Sequence, residues 1–440
     1  MTAVRRRPGA SSLVALLLAG APLAAQPEPS ADSLRLAPLH DLALRRDPRA
    51  AELALLADQG RLRLAELDAE RLPAVGVVGE GRYQSDVTSL PIRLAEGASP
   101  PRPPLQTYDA RLDLRQPLLD PTRPARRAVE RAQVDGSRAR VRTALHALRQ
   151  AVNDAYFAAL RLQSQREELA TGIADLEAQR HVAAERLRAG AALPSETATI
   201  EAELLRRRQT LDGLDARRAA ALVVLADLTG ERVAPATALA VPDLAAAVAD
   251  ARASFGELRA RPEHEQFEAE RALLDRRRDA VAARELPRVS AFGRAGYGRP
   301  GLNMLARDFD EYWTAGVQVE WAPWSRGSSA RDRESLALQR QIVDAEEAAF
   351  VASLRRAAAA DLAAMDHLDR ALAADDTILA LRERILAETR LRFAEGVITS
   401  AEYVDRETDV LAARLARATH RAELAEARAR FLTLVGREIR

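Results

Sequence analysis

Apolar residues recur along 141–176 in alternating steps of four and three. Val141, Leu145, Leu148, Val152, Ala155, Ala159, Leu162, Leu169, Ile173 and Leu176 share one seam that only Arg166 interrupts. A spacing of about 3.5 residues keeps a single stripe turned toward a partner helix, so it predicts a coiled-coil helix. The same spacing returns at Val351, Leu354, Ala358, Met365, Leu368, Leu372 and Leu379. Between 125 and 189 the only strong breakers are Gly136 and Gly172, and at about 1.5 Å per residue the stretch allows a rod of roughly 100 Å. So long a rod cannot wrap a compact core. Shorter helical stretches at about 50–72 and 195–228 are expected to lie end to end beside it and cover its seam.

Elsewhere the period falls to two. Tyr108, Ala110, Leu112 and Leu114 alternate with Asp109, Arg111, Asp113 and Arg115, and Trp313, Ala315, Val317, Val319 and Trp321 alternate with Thr314, Gly316, Gln318 and Glu320. Such segments are strands with one apolar and one polar face. Their partners, near 75–83 and 289–297, alternate similarly but are richer in glycine, and Phe292 falls on the polar face. All three Trp residues, with Tyr83, Tyr108, Tyr297 and Tyr312, lie in or beside these hairpins although aromatics make up 4% of the chain. Aromatics at strand ends are the pattern of outer-membrane barrel girdles. The spacing GxxGxG at Gly76, Gly79 and Gly81 and at Gly293, Gly296 and Gly298 precedes no helix, so it reads as thin strand packing. The connection 90–107, with five prolines, reads as an exposed loop, and 299–310 is its shorter counterpart.

The chain repeats itself. Pro117, Arg186, Gly190, Glu196, Glu201, Leu205 and Gly230 return as Pro323, Arg392, Gly396, Glu402, Glu407, Leu411 and Gly436, at a constant offset of 206. Upstream the offset is 214, matching Leu44, Arg45 and Pro48 to Leu258, Arg259 and Pro262, so the first copy carries eight more residues around its strand pair. A duplication of this length sets the architecture. The first repeat is expected over 26–234, with strands near 74–86 and 107–116, a long helix near 123–189 and a return helix near 195–228. The second is expected over 235–440, with strands near 288–298 and 312–322, a long helix near 329–395 and a return helix near 401–435.

Residues 1–25 add an address: Arg5, Arg6 and Arg7, an apolar run over 13–18 and small residues over 19–25 read as a cleavable signal peptide. A short membrane anchor is the alternative, though the run is far below the roughly 20 residues a spanning helix needs. The chain has no cysteine, so disulfides and thiolate metal sites are excluded. Its 65 basic residues are all Arg and are interleaved with 64 acids, which argues against a one-signed nucleic-acid surface. Arginine runs such as 206–208 and 276–278 read as solvated helix faces. The six His residues are isolated, without metal-ligand spacing, and no nucleophile elbow or phosphate loop is present. No catalytic, cofactor or metal site is therefore expected.

After the leader, no segment offers about 20 uninterrupted apolar residues, so any membrane span must be built of strands. A sheet in lipid must close, because an open edge leaves backbone groups unpaired. Four strands per chain fall short of the roughly eight of the smallest barrels, so several chains would have to share one. The alternative from alternation alone is an ordinary soluble sheet packed on the helices.

The order helix, strand pair, long helix, returning helix, twice over, resembles the TolC family of outer-membrane efflux and secretion channels. The likeness rests on 44–48 and Leu72-Pro73, on Pro117-Leu118-Leu119-Asp120, and above all on two helix tips, Glu185-Arg-Leu-Arg-Ala-Gly190-Ala-Ala-Leu-Pro-Ser-Glu196 and Arg392-Phe-Ala-Glu-Gly396-Val-Ile-Thr-Ser-Ala-Glu402-Tyr-Val-Asp405. It implies a mainly α fold with β: a homotrimer whose twelve strands form one transmembrane β-barrel and whose long helices form a periplasmic α-barrel. It implies a passive exit duct, coupled through a periplasmic adaptor protein to an inner-membrane pump. Glu402 and Asp405 would line the periplasmic gate, and Gly190, Leu193, Glu196, Gly396, Val397 and Thr399 would meet the adaptor. Tyr83, Tyr108, Tyr297, Trp313 and Trp321 would sit at the membrane interface. The plain alternative for Glu402 and Asp405 is two exposed acids in a first helical turn, where the macrodipole favours them. Two departures stand out: Ile398 occupies a tip position where some members carry a basic latch residue, and Pro194 makes the first tip unlike the second. A soluble periplasmic coiled-coil scaffold or adaptor is the rival function. An adaptor would place one helical hairpin inside β-rich flanks, whereas here two copies each enclose a pair of strands.

Overall fold

The computed structural model describes residues 33–88, 102–253, 260–322 and 326–439. The leader at 1–25 and most of the Pro-rich connection fall outside the described residues. The described chain runs α1 (Leu36–Arg46), α2 (Pro48–Ala69), β1 (Ala74–Tyr83), β2 (Gln106–Leu119), α3 (Thr122–Arg188), α4 (Pro194–Thr229), α5 (Ala245–Ala253), α6 (Pro262–Ala283), β3 (Arg288–Arg299), β4 (Asp310–Glu320), α7 (Arg326–Ala394) and α8 (Ser400–Leu434).

The two rods are α3 and α7, of 67 and 69 residues, and α3 continues through Gly136 without a break. Along the α3 seam Val141, Leu148, Val152, Ala155, Ala159, Leu169, Ile173 and Leu176 are buried, as a 3.5-residue period demands. Two helices lie end to end along α3. The first is α2, joined near the sheet by the Arg127–Asp68 ion pair and by Arg63–Glu130 at 3.2 Å. The second is α4, joined further on by Arg166–Asp215 at 2.6 Å and Arg208–Glu177 at 2.5 Å. Arg166, which interrupts the seam, thus leans out to an acid of the return helix. The second repeat follows the same plan with α6 and α8 along α7, and both of these helices also pack on α3, zipping the repeats together.

Two apolar clusters hold the rods. One lies midway along them, where Tyr156 of α3 donates its hydroxyl to the carbonyls of Leu34 (2.9 Å) and Ala240 (2.5 Å) and packs edge-on to Phe157. The other lies toward the helix tips and contains Leu176, Ile200, Leu386, Phe393 and Tyr403.

The strands form one antiparallel sheet in the order β1-β2-β3-β4, so the central β2–β3 pair joins the two repeats. The strands are 10, 14, 12 and 11 residues long. About 9–11 residues suffice for a tilted strand to cross a bilayer. Among the described residues no helix is long and apolar enough to do so.

Candidate functional site

The register divides the sheet into two unlike faces. Val75 pairs with Leu114, Val77 with Leu112, Gly81 with Tyr108, Ala110 with Tyr297, and Ala295 with Trp313, so these side chains share one face. Among the described residues little covers it: Val77 is 85% exposed and Trp313 74%, and Leu112, Val317, Val319 and Trp321 are exposed as well. The soluble alternative, in which this face would pack on the chain's own helices, is not what the chain does. The five aromatics expected at a membrane interface, Tyr83, Tyr108, Tyr297, Trp313 and Trp321, are all exposed at strand ends or just beyond them.

The opposite face carries Glu80, Asp109, Arg111, Asp113, Arg294, Gln318 and Glu320, knit into pairs. Arg111 lies 2.6 Å from Asp109 and 3.3 Å from Asp113, Arg294 lies 3.3 Å from Asp113, and Arg288 lies 3.1 Å from Glu320. Tyr312 donates its hydroxyl to Asp109 at 2.5 Å. Glycine makes room for that ring: a Cβ on Gly296 would stand 2.8 Å from it. Phe292 lies on this face, as its place in the alternation required, with the Arg294 guanidinium 5.7 Å from its ring centre.

At the far end of the rods the two tips have one backbone plan, shifted by 206. Gly190 and Gly396 take φ of 73° and 77°. In the first tip the Gly190 and Ala191 amides donate to the carbonyls of Leu187 and Arg186, and in the second the Gly396 and Val397 amides donate to those of Phe393 and Arg392. This is the paired bonding of a Schellman turn, which needs the left-handed residue that glycine supplies without strain. The return helices then begin differently. Pro194 opens α4 behind Leu193, whose side chain makes no cap, whereas the Thr399 hydroxyl accepts the Glu402 amide at 3.3 Å. Leu193 and Val397 are exposed at the two apices and Glu196 is half-buried. Ile398, in the place of a basic latch, packs against the tip cluster instead.

Glu402 and Asp405 stand exposed, three residues apart, in the first turns of α8. Asp405 has Arg406 at 3.6 Å, and Arg406 also reaches Asp409 at 3.4 Å. Within one chain both face solvent.

Sequence reasoning missed two links between the tips. Arg186 donates to the Phe393 carbonyl at 2.6 Å, so a side chain of the first tip caps the helix end of the second, and its guanidinium lies over the Phe393 ring. Phe393 in turn stacks on Tyr403 at 5.0 Å. Deeper in, Arg207 is buried, contrary to the solvated face expected of 206–208; its neighbours Arg206 and Arg208 are exposed as expected. Arg207 Nε donates to Glu203 at 2.7 Å, Nη1 donates to Glu407 at 2.8 Å and to the Gly172 carbonyl at 3.3 Å, and Nη2 donates to Thr408 at 3.1 Å. Burial pushes the Glu407 carboxyl above its ordinary value, and Arg207 opposes that shift. One side chain thus ties α3, α4 and α8 together at one level.

The family model described as outer membrane efflux protein matches residues 39–231, the span from α1 to the turn after α4. Over this repeat the chain is similar to the outer membrane efflux protein family. The fold extends the likeness over both repeats. The MtrE outer membrane channel of Neisseria gonorrhoeae in its open state superposes with a TM-score of 0.66 at 19% identity, covering 92% of this chain and 89% of that one. The CmeC outer membrane channel of Campylobacter jejuni gives 0.64 at 14% identity, over 91% and 85%. CusC, whose structures describe folding and transmembrane channel formation, gives 0.67 at 16% identity, over 91% and 92%. At these identities the likeness is one of fold. Among curated proteins no sequence matches. The family model and the folds that this chain resembles are those of outer-membrane efflux proteins and channels and not of enzymes.

Proposed function

We propose that this chain is one third of an exit duct. Three copies close their four-stranded sheets into a twelve-strand barrel in the outer membrane, and their rods form a periplasmic tube that conducts passively. The uncovered apolar face of the sheet, backed by a face of ion-paired charges, carries this reading. Lipid stabilises the first face and a water-filled lumen the second. The unpaired edges of β1 and β4 must be closed in hydrocarbon, and neighbouring copies offer complementary edges. The rods need neighbours too: Leu338, Ile342, Ile378, Leu381, Ile385 and Leu391 of α7 are exposed.

In this assembly the tips narrow the periplasmic entrance, with rings of Glu402 and Asp405 facing the axis. Gly190, Leu193, Glu196, Gly396, Val397 and Thr399 present the outer tip surface to a periplasmic adaptor protein, and an inner-membrane pump supplies the energy through that adaptor.

The test is the native mass of the full chain in detergent, followed by single-channel recording of the same sample in a planar bilayer. A trimer that opens discrete conducting steps supports the duct. A water-soluble protein that never inserts would sink it and favour the coiled-coil scaffold or adaptor.

A further inference from the structure

The connection between β3 and β4 does not match its surroundings. The strands leave the helices at Ala74, Leu119, Arg288 and Glu320, so residues 300–309 lie at the end of the sheet farthest from the rods. In an outer-membrane protein whose helices are periplasmic, that end faces outward. A loop bathed in external water would carry turn-forming polar residues. This one has Pro300, Gly301, Asn303 and Asp308 but also exposes Leu302, Met304, Leu305 and Phe309.

Its position is fixed by aromatic contacts. Phe309 stacks on Tyr297 at 5.4 Å with the rings 17° from parallel, and on Tyr108 at 6.3 Å. Both tyrosines belong to the apolar face of the sheet, since Tyr108 pairs with Gly81 and Tyr297 with Ala110. The loop therefore folds onto the apolar side and extends that surface beyond the last strand pair. Contiguous exposed apolar surface of this kind marks an interaction site, and here it is continuous with the face that lipid covers.

We propose that residues 300–309 are a lipid-inserting flap, which seats Leu302, Met304, Leu305 and Phe309 in the interfacial acyl layer of the outer leaflet. The flap holds the rim of the barrel at a fixed depth. Its aromatic ring stacks between protein and headgroups, where amphipathic rings are favoured, and its aliphatic side chains reach just below. This rests on the membrane-spanning reading of the sheet, and the test separates the two.

Because the chain has no cysteine, single cysteines take a label at one site only. Met304→Cys, Val77→Cys and Asp86→Cys are each labelled with a bimane fluorophore, and the full-length protein is reconstituted into phosphatidylethanolamine–phosphatidylglycerol vesicles. Quenching by a lipid bearing a nitroxide at a shallow acyl position is compared with quenching by aqueous iodide. The flap requires the Met304 label to be quenched several-fold more strongly by the lipid nitroxide than by iodide, with the Asp86 label showing the reverse order. If the Val77 label is lipid-quenched while the Met304 label answers to iodide, the flap is overturned and the barrel stands. If the Val77 label itself answers to iodide, both fall together. All three positions are exposed, so the labels displace no core side chain.

Discussion

Arg207 of α4 and Glu407 of α8 form an ion pair with both side chains almost wholly out of water, at 1% and 3% exposure. The pair joins the return helices of two different repeats toward the helix tips. Removing one partner strands the other, which for buried pairs costs about 3–5 kcal/mol. Glu407→Ala should therefore lower the unfolding stability of the detergent-solubilised protein by about that amount. Replacing both residues by leucine should recover most of the loss, because apolar packing can stand in for a buried pair. Urea or thermal unfolding of the single and double variants checks this. Equal losses in both would mean that the charge pairing is irrelevant and only volume matters.

Stability should also fall on mild acidification. Burial holds the His40 imidazole below its ordinary value of 6.5, where it lies 2.8 Å from the Asn153 side-chain oxygen, and burial with Arg261 nearby lowers His146 too. The unfolded chain takes up these protons near pH 6.5 while the folded one refuses them, so the contribution is complete above that pH and is lost as pH falls below it. Glu407 and Glu426, both raised by burial, act in the opposite direction as pH falls toward the ordinary glutamate value. The difference between parent and His40→Gln isolates the histidine: melting curves between about pH 8 and 5 should be flatter in the variant. A parent curve already flat would remove the claim.

The two faces of the sheet and the buried seams were legible because period and burial have one cause: a stripe that meets a partner must be apolar at the period of the element that carries it. Val152 and Leu176 on α3, and Leu354 and Met365 on α7, are buried for that reason. Arg207 was not legible as part of a run of three arginines. It was legible in another frame, since Ile200, Leu204, Arg207, Leu211 and Leu214 step by four and three along α4, so Arg207 holds a seam position. Asp361 and Asp375 hold seam positions on α7 in the same way, and each meets a partner at 2.6 Å, Arg430 and His420. A charge on a seam signals a partner across it, as polar seam residues do in setting coiled-coil register. Which residue that partner is depends on the register between helices far apart in sequence, and the duplication does not supply it: 413, the counterpart of 207, is alanine. The Arg186 cap on the second tip escaped for the same reason.

The two tip glycines should not respond alike to alanine. Both adopt a left-handed backbone, which costs a residue with a Cβ roughly 1–2 kcal/mol. A Cβ on Gly190 meets nothing within 4 Å, so Gly190→Ala should cost the backbone strain alone. A Cβ on Gly396 would stand 2.7 Å from the Arg186 guanidinium. Gly396→Ala must therefore also displace the side chain that caps α7, and should destabilise the protein more than Gly190→Ala. Paired unfolding curves, with protease sensitivity of the tips as a second reading, decide it; equal effects would mean that the Arg186 cap contributes nothing.

Selectivity gives the sharpest test of the entrance. In a trimer Glu402 and Asp405 each become a ring of three carboxylates, and such rings favour cations over anions. The rings are unequal, because Arg406 lies 3.6 Å from Asp405 and offsets part of its charge. Glu402→Ala should therefore lose the larger share of cation selectivity, Asp405→Ala the smaller, and the double variant should conduct cations and anions most nearly alike. Reversal potentials across a salt gradient measure this directly, and the differences should shrink as ionic strength rises and screening shortens the reach of each ring. The alternative, two acids that merely favour the first turn of α8, predicts a different result: unchanged reversal potentials, with at most about 0.3–1 kcal/mol of stability lost for each neutralised charge. The two readings thus separate on one current–voltage curve per variant.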